Sequence, residues 1–172
     1  RLAAIMFTDI VSYTALMGND EQQAFDILRK SREIQQPIIQ QFNGNWIKEI
    51  GDGVLASFHT VTEAVLCASA IQQASSQIPG LKLRIGIHQG EVVFENNDVF
   101  GDGVNIASRL QALAEPDTVC ISDAVYRDVA RKLDVGTVVS LGRPHLKNIA
   151  ERFAVYALLP VPPVGLKQRV HV

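Results

Sequence analysis

The chain has 172 residues, 47% hydrophobic and 20% charged, with a net charge of −2. That is enough apolar material for one domain with a sizeable core, and the near-neutral balance excludes a general basic surface for DNA or RNA. No apolar run reaches the roughly eighteen residues that would cross a membrane, and Cys67 and Cys120 fall in helix-like and strand-like patterns, so they read as buried thiols rather than a bridge. We therefore expect a cytoplasmic domain without nucleic-acid partners or membrane contact. It opens at Arg1, directly against its first strand and with no signal peptide, so we expect a piece of a longer protein.

The run Leu2–Val11 is hydrophobic enough for the centre of a sheet, yet it contains Asp9. An unpaired carboxylate there would cost several kcal/mol, so Asp9 requires a cation or strong donors beside it. Asp20 with Gln23 forms a capping-box-like start for a helix that ends at Asn43-Gly44. Pro37 predicts a kink or break within it. Asn45–Ile50 and Val54–Phe58 flank Gly51-Asp52-Gly53 and read as a hairpin. Thr60-Val61-Thr62-Glu63 opens a second capped helix, which Pro79-Gly80 closes off. Leu81–Phe94 is a long strand region, with a bend or bulge expected at Gly86 or Gly90. A helix follows over about Val104–Ala114, with Ile106, Ala107, Leu110, Leu113 and Ala114 as its apolar stripe. The rest reads as a strand at Val119–Ile121, a short helix at Asp123–Lys132, and strands near Val135–Leu141 and Phe153–Leu158. The order β-α-β-β-α-β predicts an α+β, ferredoxin-like core with a C-terminal extension. We place the domain at residues 1–159 and a proline-bearing linker or tail at 160–172.

Several polar residues carry more than one reading. Asp9 is either a hydrogen-bonded structural acid or a metal ligand, and Gly-Asp-Gly around Asp52 is also ordinary turn chemistry. Together, the two carboxylates suit a pair of Mg²⁺ ions on a polyphosphate. Asn105 and Arg109 are four apart and so share a helix face, where they either meet solvent or hold a ribose and a phosphate. Lys48, Asp98 and Lys147 are each consistent with a surface or turn position. His59, His88, His145 and His171 show no metal-ligand spacing. There is no phosphate-binding Gly-x-x-x-x-Gly-Lys-Ser/Thr loop, and no serine in a nucleophile-elbow context.

Four segments in order, FTDI (Phe7–Ile10), KEIGDG (Lys48–Gly53), DVFGDGVNIASR (Asp98–Arg109) and LKNI (Leu146–Ile149), resemble the class III nucleotidyl cyclase catalytic domain. The likeness runs from Leu2 to about Leu158. It implies that Asp9, Asp52 and the backbone carbonyl of Ile10 bind two divalent metal ions, Mg²⁺ or Mn²⁺. By the same resemblance Lys48 and Asp98 recognise the base, Asn105 orients the ribose, Arg109 stabilises the transition state and Lys147 holds the triphosphate. The family acts as dimers with the site at the interface. Because this chain carries both sets of residues, the resemblance implies a homodimer with two equivalent composite sites. Lysine donates and aspartate accepts, which matches adenine N1 and its 6-amino group, so the expected substrate is ATP and the product 3′,5′-cyclic AMP with pyrophosphate. The alternatives are a guanylyl or relaxed-specificity cyclase, or an inactive nucleotide-binding and dimerisation module. The stretch from Val93 to Asp98 is shorter than the partner-wrapping arm of many members, and Ile149 stands where a second lysine is often found. Flanking regulatory domains are expected beyond this segment.

Overall fold

The computed structural model describes residues 1–160; the tail expected from 160 to 172 lies, beyond Pro160, outside the described residues. The strand predicted around Asp9 is β1 (Leu2–Ile10), an interior strand that stands third in a seven-stranded sheet. It pairs antiparallel with β3 (Gly53–Phe58) on one side and β4 (Leu83–Glu91) on the other. β2 (Asn45–Ile50) completes the hairpin with β3. The order β2-β3-β1-β4 is that of the ferredoxin-like arrangement expected from the element sequence. The extension adds β7 (Val119–Ser122) parallel to β4, then β9 (Val155–Leu159) and β8 (Thr137–Ser140), both antiparallel. A two-stranded hairpin, β5 (Val93–Glu95) with β6 (Asp98–Phe100), stands apart from the main sheet.

Alternation along β1 divides the core. Ala4, Met6 and Ile10 join the larger cluster with residues of α2 (Glu21–Gln41), α3 (Val61–Ser75) and α5 (Asp123–Val129). Ala3 and Ile5 join the opposite cluster, which includes Ala107 of α4 (Asp102–Leu113). Ile5 and Met6 are fully buried on opposite faces, and such burial contributes roughly 1.5–3 kcal/mol per side chain. That stabilisation anchors a strand that also carries a charged residue. On the α2 side a buried polar chain crosses the core: Thr8 Oγ1 donates to Gln35 Oε1 at 3.0 Å and Gln35 Nε2 to Ser31 Oγ at 2.9 Å.

Both helix starts follow their caps. Asp20 accepts from the Gln23 amide at 3.1 Å, and Thr60 accepts from the Glu63 amide at 3.1 Å. A short helix α1 (Tyr13–Asn19), not anticipated from the sequence, precedes α2 and buries no residue. Of the kink or break expected at Pro37, the break does not occur: α2 runs on through it. Burial of Gln35 and Ile39 on either side holds this stretch against the core, and packing of this kind overrides the lost backbone hydrogen bond.

The bulge expected at Gly86 or Gly90 is also absent: β4 keeps one register against β1 from Leu83 opposite Ile10 to Glu91 opposite Leu2. Gly86 serves close approach instead. A Cβ there would lie 2.3 Å from the Gln111 nitrogen and 2.7 Å from the Ala107 carbonyl oxygen, so α4 rests its backbone on the strand. Of the apolar stripe expected on α4, Ala107, Leu110 and Ala114 are buried and Ile106 packs beside them, Gly103 and Gln111 join them, and Leu113 is exposed. The irregularity in the sheet lies in β2, between Trp46 and Lys48.

Cys67 in α3 and Cys120 in β7 are free and buried, and burial pushes both thiols up to about 12. His88 on β4 is structural. Its Nδ1 lies 2.7 Å from Ser122 Oγ, and its ring stacks on Phe153 with centroids 6.0 Å apart. Burial pushes its pKa down to about 4. A neutral His88 therefore supports the fold fully above the ordinary value near 6.5, and that support is lost as pH falls toward about 4, amounting to about 3 kcal/mol at most. Urea melts between pH 7 and 5 should show this slope, and His88→Gln should flatten it; an unchanged slope would reassign the pH dependence to other groups.

Candidate active site

Asp9 is on the face of β1 that α4 covers, directly opposite Arg84 of β4. The company its burial demanded is that arginine. Arg84 Nε donates to Asp9 Oδ1 at 3.0 Å and Nη2 to Oδ2 at 2.7 Å, a two-pronged ion pair with side chains 23% (Asp9) and 32% (Arg84) exposed. Hydrogen bonding to Asp9 holds the guanidinium above its ordinary value, with the charges of Asp52 and Glu115 contributing. Sequence reading did not single out Arg84. The available signal was a charge between Leu83 and Ile85 in an apolar strand, the same signal that marked Asp9.

Asp52 sits at the tip of the β2–β3 hairpin, and its Oδ2 accepts from the Ile10 amide at 2.8 Å. The turn can come this close because position 53 is glycine. A Cβ there would lie 2.4 Å from the Thr8 carbonyl oxygen, a clash, and 3.6 Å from Asp9 Cβ. Val11 N–H donates to Lys82 O across the β1–β4 pair. Alternation in an antiparallel ladder then turns the N–H and C=O of Ile10 the other way, toward Asp52. Asp9, Asp52 and the Ile10 carbonyl thus meet at one end of β1. Among the described residues no group of three or more Asp, Glu, His or Cys could form a complete metal cage. The chemistry of the donor set nonetheless fits Mg²⁺ or Mn²⁺: the donors are all oxygen, and Mg²⁺ sites commonly use one or two carboxylates and draw remaining ligands from water and phosphate.

The second set lies elsewhere. Lys48 Nζ donates to Asp98 Oδ2 at 2.9 Å, joining β2 to β6. The Lys48 bond, with the Val99 amide at 2.7 Å, holds the Asp98 carboxyl below its usual range, so it is an ionised acceptor at neutral pH. Asp98 was expected in a polar loop; it begins β6. Asn96 and Asn97, at φ 52° and 62°, make the hairpin turn, and an Asn-Asn pair between short β-forming runs is a signal for it. On α4, Asn105 is exposed and Arg109 half-buried. Each is two residues from buried Ala107, hence about 160° around the helix from it, and both turn away from the sheet. Arg109 Nε donates to the Lys147 carbonyl oxygen at 3.0 Å, which brings the 146–149 segment to the helix. The Lys147 side chain is exposed, whereas Ile149 packs in the cluster with Leu110 and Leu146.

The structure therefore gathers Asp9, Ile10 and Asp52 in one place, Lys48 with Asp98 in a second, and Arg109 with Lys147 in a third. Asp98, Asn105 and Arg109 follow the loop and outer face of α4. Asp9 lies on the sheet side, where Arg84 Nη1 reaches the Ala112 carbonyl at 3.4 Å. Asn105 and Arg109 thus turn outward from α4, whereas Asp9 lies on the sheet face that this helix covers.

One acid at the end of an interior strand of a ferredoxin-like sheet, a second in the neighbouring hairpin turn, and a helix bearing Asn and Arg over the same face together point to a class. Residues 2–158 match the model of the adenylate and guanylate cyclase catalytic domain, and the chain belongs to that family. It is 38% identical over 93% of its length to "Putative adenylate cyclase 3" of Rhizobium meliloti (strain 1021), covering 28% of that protein. An adenylate cyclase of Streptomyces coelicolor is 29% identical over 78% of the chain, which covers 36% of it. The chain thus spans about a third of the length of these curated relatives. In structure it is similar to an adenylate/guanylate cyclase/hydrolase from Silicibacter pomeroyi, with a TM-score of 0.87 and 36% identity over 94% of this chain and 98% of that one. The chain is a nucleotidyl cyclase catalytic domain. No helix among the described residues is long and apolar enough to cross a membrane.

Proposed function

We propose that the domain is an adenylyl cyclase, converting ATP to 3′,5′-cyclic AMP and pyrophosphate at sites shared between two copies of the chain. The observation that carries this reading is the Lys48–Asp98 pair, a donor and an ionised acceptor held 2.9 Å apart beside the helix bearing Asn105 and Arg109. Adenine offers an acceptor at N1 and a donor at its 6-amino group. Lys48 donates to the first and Asp98 accepts from the second. Guanine in the same register presents a donor and an acceptor instead, leaving both side chains unsatisfied, and sites built on such hydrogen bonds can discriminate by up to about 10⁴-fold. Asn105 then holds the ribose with its 3′-hydroxyl aimed at the α-phosphorus, and Arg109 meets charge that builds on the α-phosphoryl oxygens. Lys147 neutralises the triphosphate. The bond formed is ribose O3′ to the α-phosphorus; the bonds broken are the 3′-hydroxyl O–H, whose proton passes to water, and the one joining that phosphorus to the β-bridging oxygen, which leaves with pyrophosphate.

Asp9, Asp52 and the Ile10 carbonyl would hold two divalent ions. Bound there, such ions lower the pKa of the 3′-hydroxyl and offset charge on the leaving pyrophosphate. Because Asn105 and Arg109 face away from the side of α4 on which Asp9 lies, and cyclases of this family act as dimers, each site takes its acids from one copy and its Lys48, Asp98, Asn105, Arg109 and Lys147 from the other, in a two-fold pair.

Turnover of ATP and GTP compared under Mn²⁺ tests the base assignment. The expected result is ATP preferred by 10²-fold or more, and Lys48→Glu with Asp98→Lys should erode that preference. GTP turned over faster than ATP would overturn the roles of Lys48 and Asp98 and favour a guanylyl cyclase. No turnover of either nucleotide at any protein concentration would favour a binding module.

A further inference from the structure

We propose that Arg84 is a displaceable counter-ion: it occupies the Asp9 carboxylate until divalent cations arrive, and so sets how tightly they bind. The inference rests on the metal role given to Asp9 and Asp52. Both oxygens of Asp9 are already engaged, by Nε at 3.0 Å and Nη2 at 2.7 Å. A divalent ion needs at least one of those oxygens, and two cations cannot share one carboxylate closely without repulsion. The guanidinium therefore opposes cation binding for as long as it stays on Asp9.

The setting favours exchange rather than a permanent lock. The pair is neither sealed nor fully solvated, with Asp9 23% and Arg84 32% exposed, so the contact is strong enough to compete and open enough to release. The arginine also has a second seat. Nη1 is already 3.4 Å from the Ala112 carbonyl oxygen in the last turn of α4, and the exposed Glu115 acts on the same guanidinium. Helix C-terminal carbonyls lack intrahelical partners and attract cations. A short swing toward Ala112 and Glu115 frees Asp9 while keeping Arg84 compensated. Without Arg84, the cation-free domain would leave two neighbouring carboxylates unbalanced at the end of β1.

Mn²⁺ binding to the nucleotide-free 172-residue chain, followed by the spin-resonance signal of free Mn²⁺, tests this. Arg84→Gln should bind Mn²⁺ about tenfold more tightly than the wild type. Arg84→Lys, which keeps the charge but lacks the fork that grips both oxygens, should fall between them. In EDTA Arg84→Gln should melt below the wild type, and saturating Mn²⁺ should narrow that gap. Should Arg84→Gln not fold in EDTA, the lysine variant carries the same comparison. Equal or weaker Mn²⁺ binding by Arg84→Gln would overturn the proposal, as would an Arg84→Lys chain indistinguishable from wild type, since long-range charge alone would then suffice. Asp9→Asn separates the underlying reading: it should lose Mn²⁺ binding. If it binds Mn²⁺ like the wild type, or if the wild type binds none, the metal assignment itself fails and the counter-ion role with it.

Discussion

Asp9→Asn is expected to lower cyclic AMP formation by about 10³-fold or more. The substitution removes the charge that holds divalent ions while keeping the shape of the side chain, and loss of several kcal/mol of charge stabilisation in the transition state corresponds to that factor. The fold should persist. β1 is held by Ala4, Ile5 and Met6, all fully buried, and by ladders to β3 and β4 on both sides. The Asp9–Arg84 pair is partly exposed, so weakening it should cost only about 1 kcal/mol. Circular dichroism and a melting temperature within about 5 °C of wild type would establish that, and initial rates at saturating Mn²⁺ would give the catalytic loss. Turnover within tenfold of wild type would remove Asp9 from the metal site.

The second large effect belongs to Arg109. Arg109→Ala should reduce kcat by about 10²–10³ with little change in KM, because the guanidinium acts on charge that exists only as the α-phosphorus is attacked. Its ground-state contact is with the Lys147 carbonyl at an exposed position, so folding should be little affected. The informative experiment mixes the two defective chains. In a hybrid pair, one site combines both defects while the other takes Asp9 from the Arg109→Ala chain and Arg109 from the Asp9→Asn chain, and is whole. Random pairing of equal amounts makes half the dimers hybrid, so activity should recover to about a quarter of wild type. Proven hybrids with no recovery would mean that each protomer works with its own acids and its own arginine, and the shared site would be lost.

Much of this was legible in the chain because it is local. Thr60 and Glu63 announce a helix start through chemistry contained in four residues, and they cap α3. An apolar run broken by one acid identified β1, and glycines around Asp52 identified a tight turn. What escaped depends on partners distant along the chain. Arg84 lies 75 residues from Asp9, and only the antiparallel register of β4 with β1 sets them opposite each other. Pro37 breaks isolated helices, yet here burial of its neighbours carries α2 through it. Gly86 suggested a bulge in its own strand; its role is to admit the backbone of α4, which no reading of β4 alone could supply.

By itself the sequence determined most of the element types, the βαββαβ order, and which side chains are chemically able to bind cations, bases and phosphates, since propensity, capping and charge act over a few residues. Tertiary structure alone decided which of them meet. It placed Asp52 on the Ile10 amide, Lys48 against Asp98, and Arg84 across both oxygens of Asp9. The physical reason is that strand register and helix seating are set by burial summed over the whole sheet, and no single segment contains that sum.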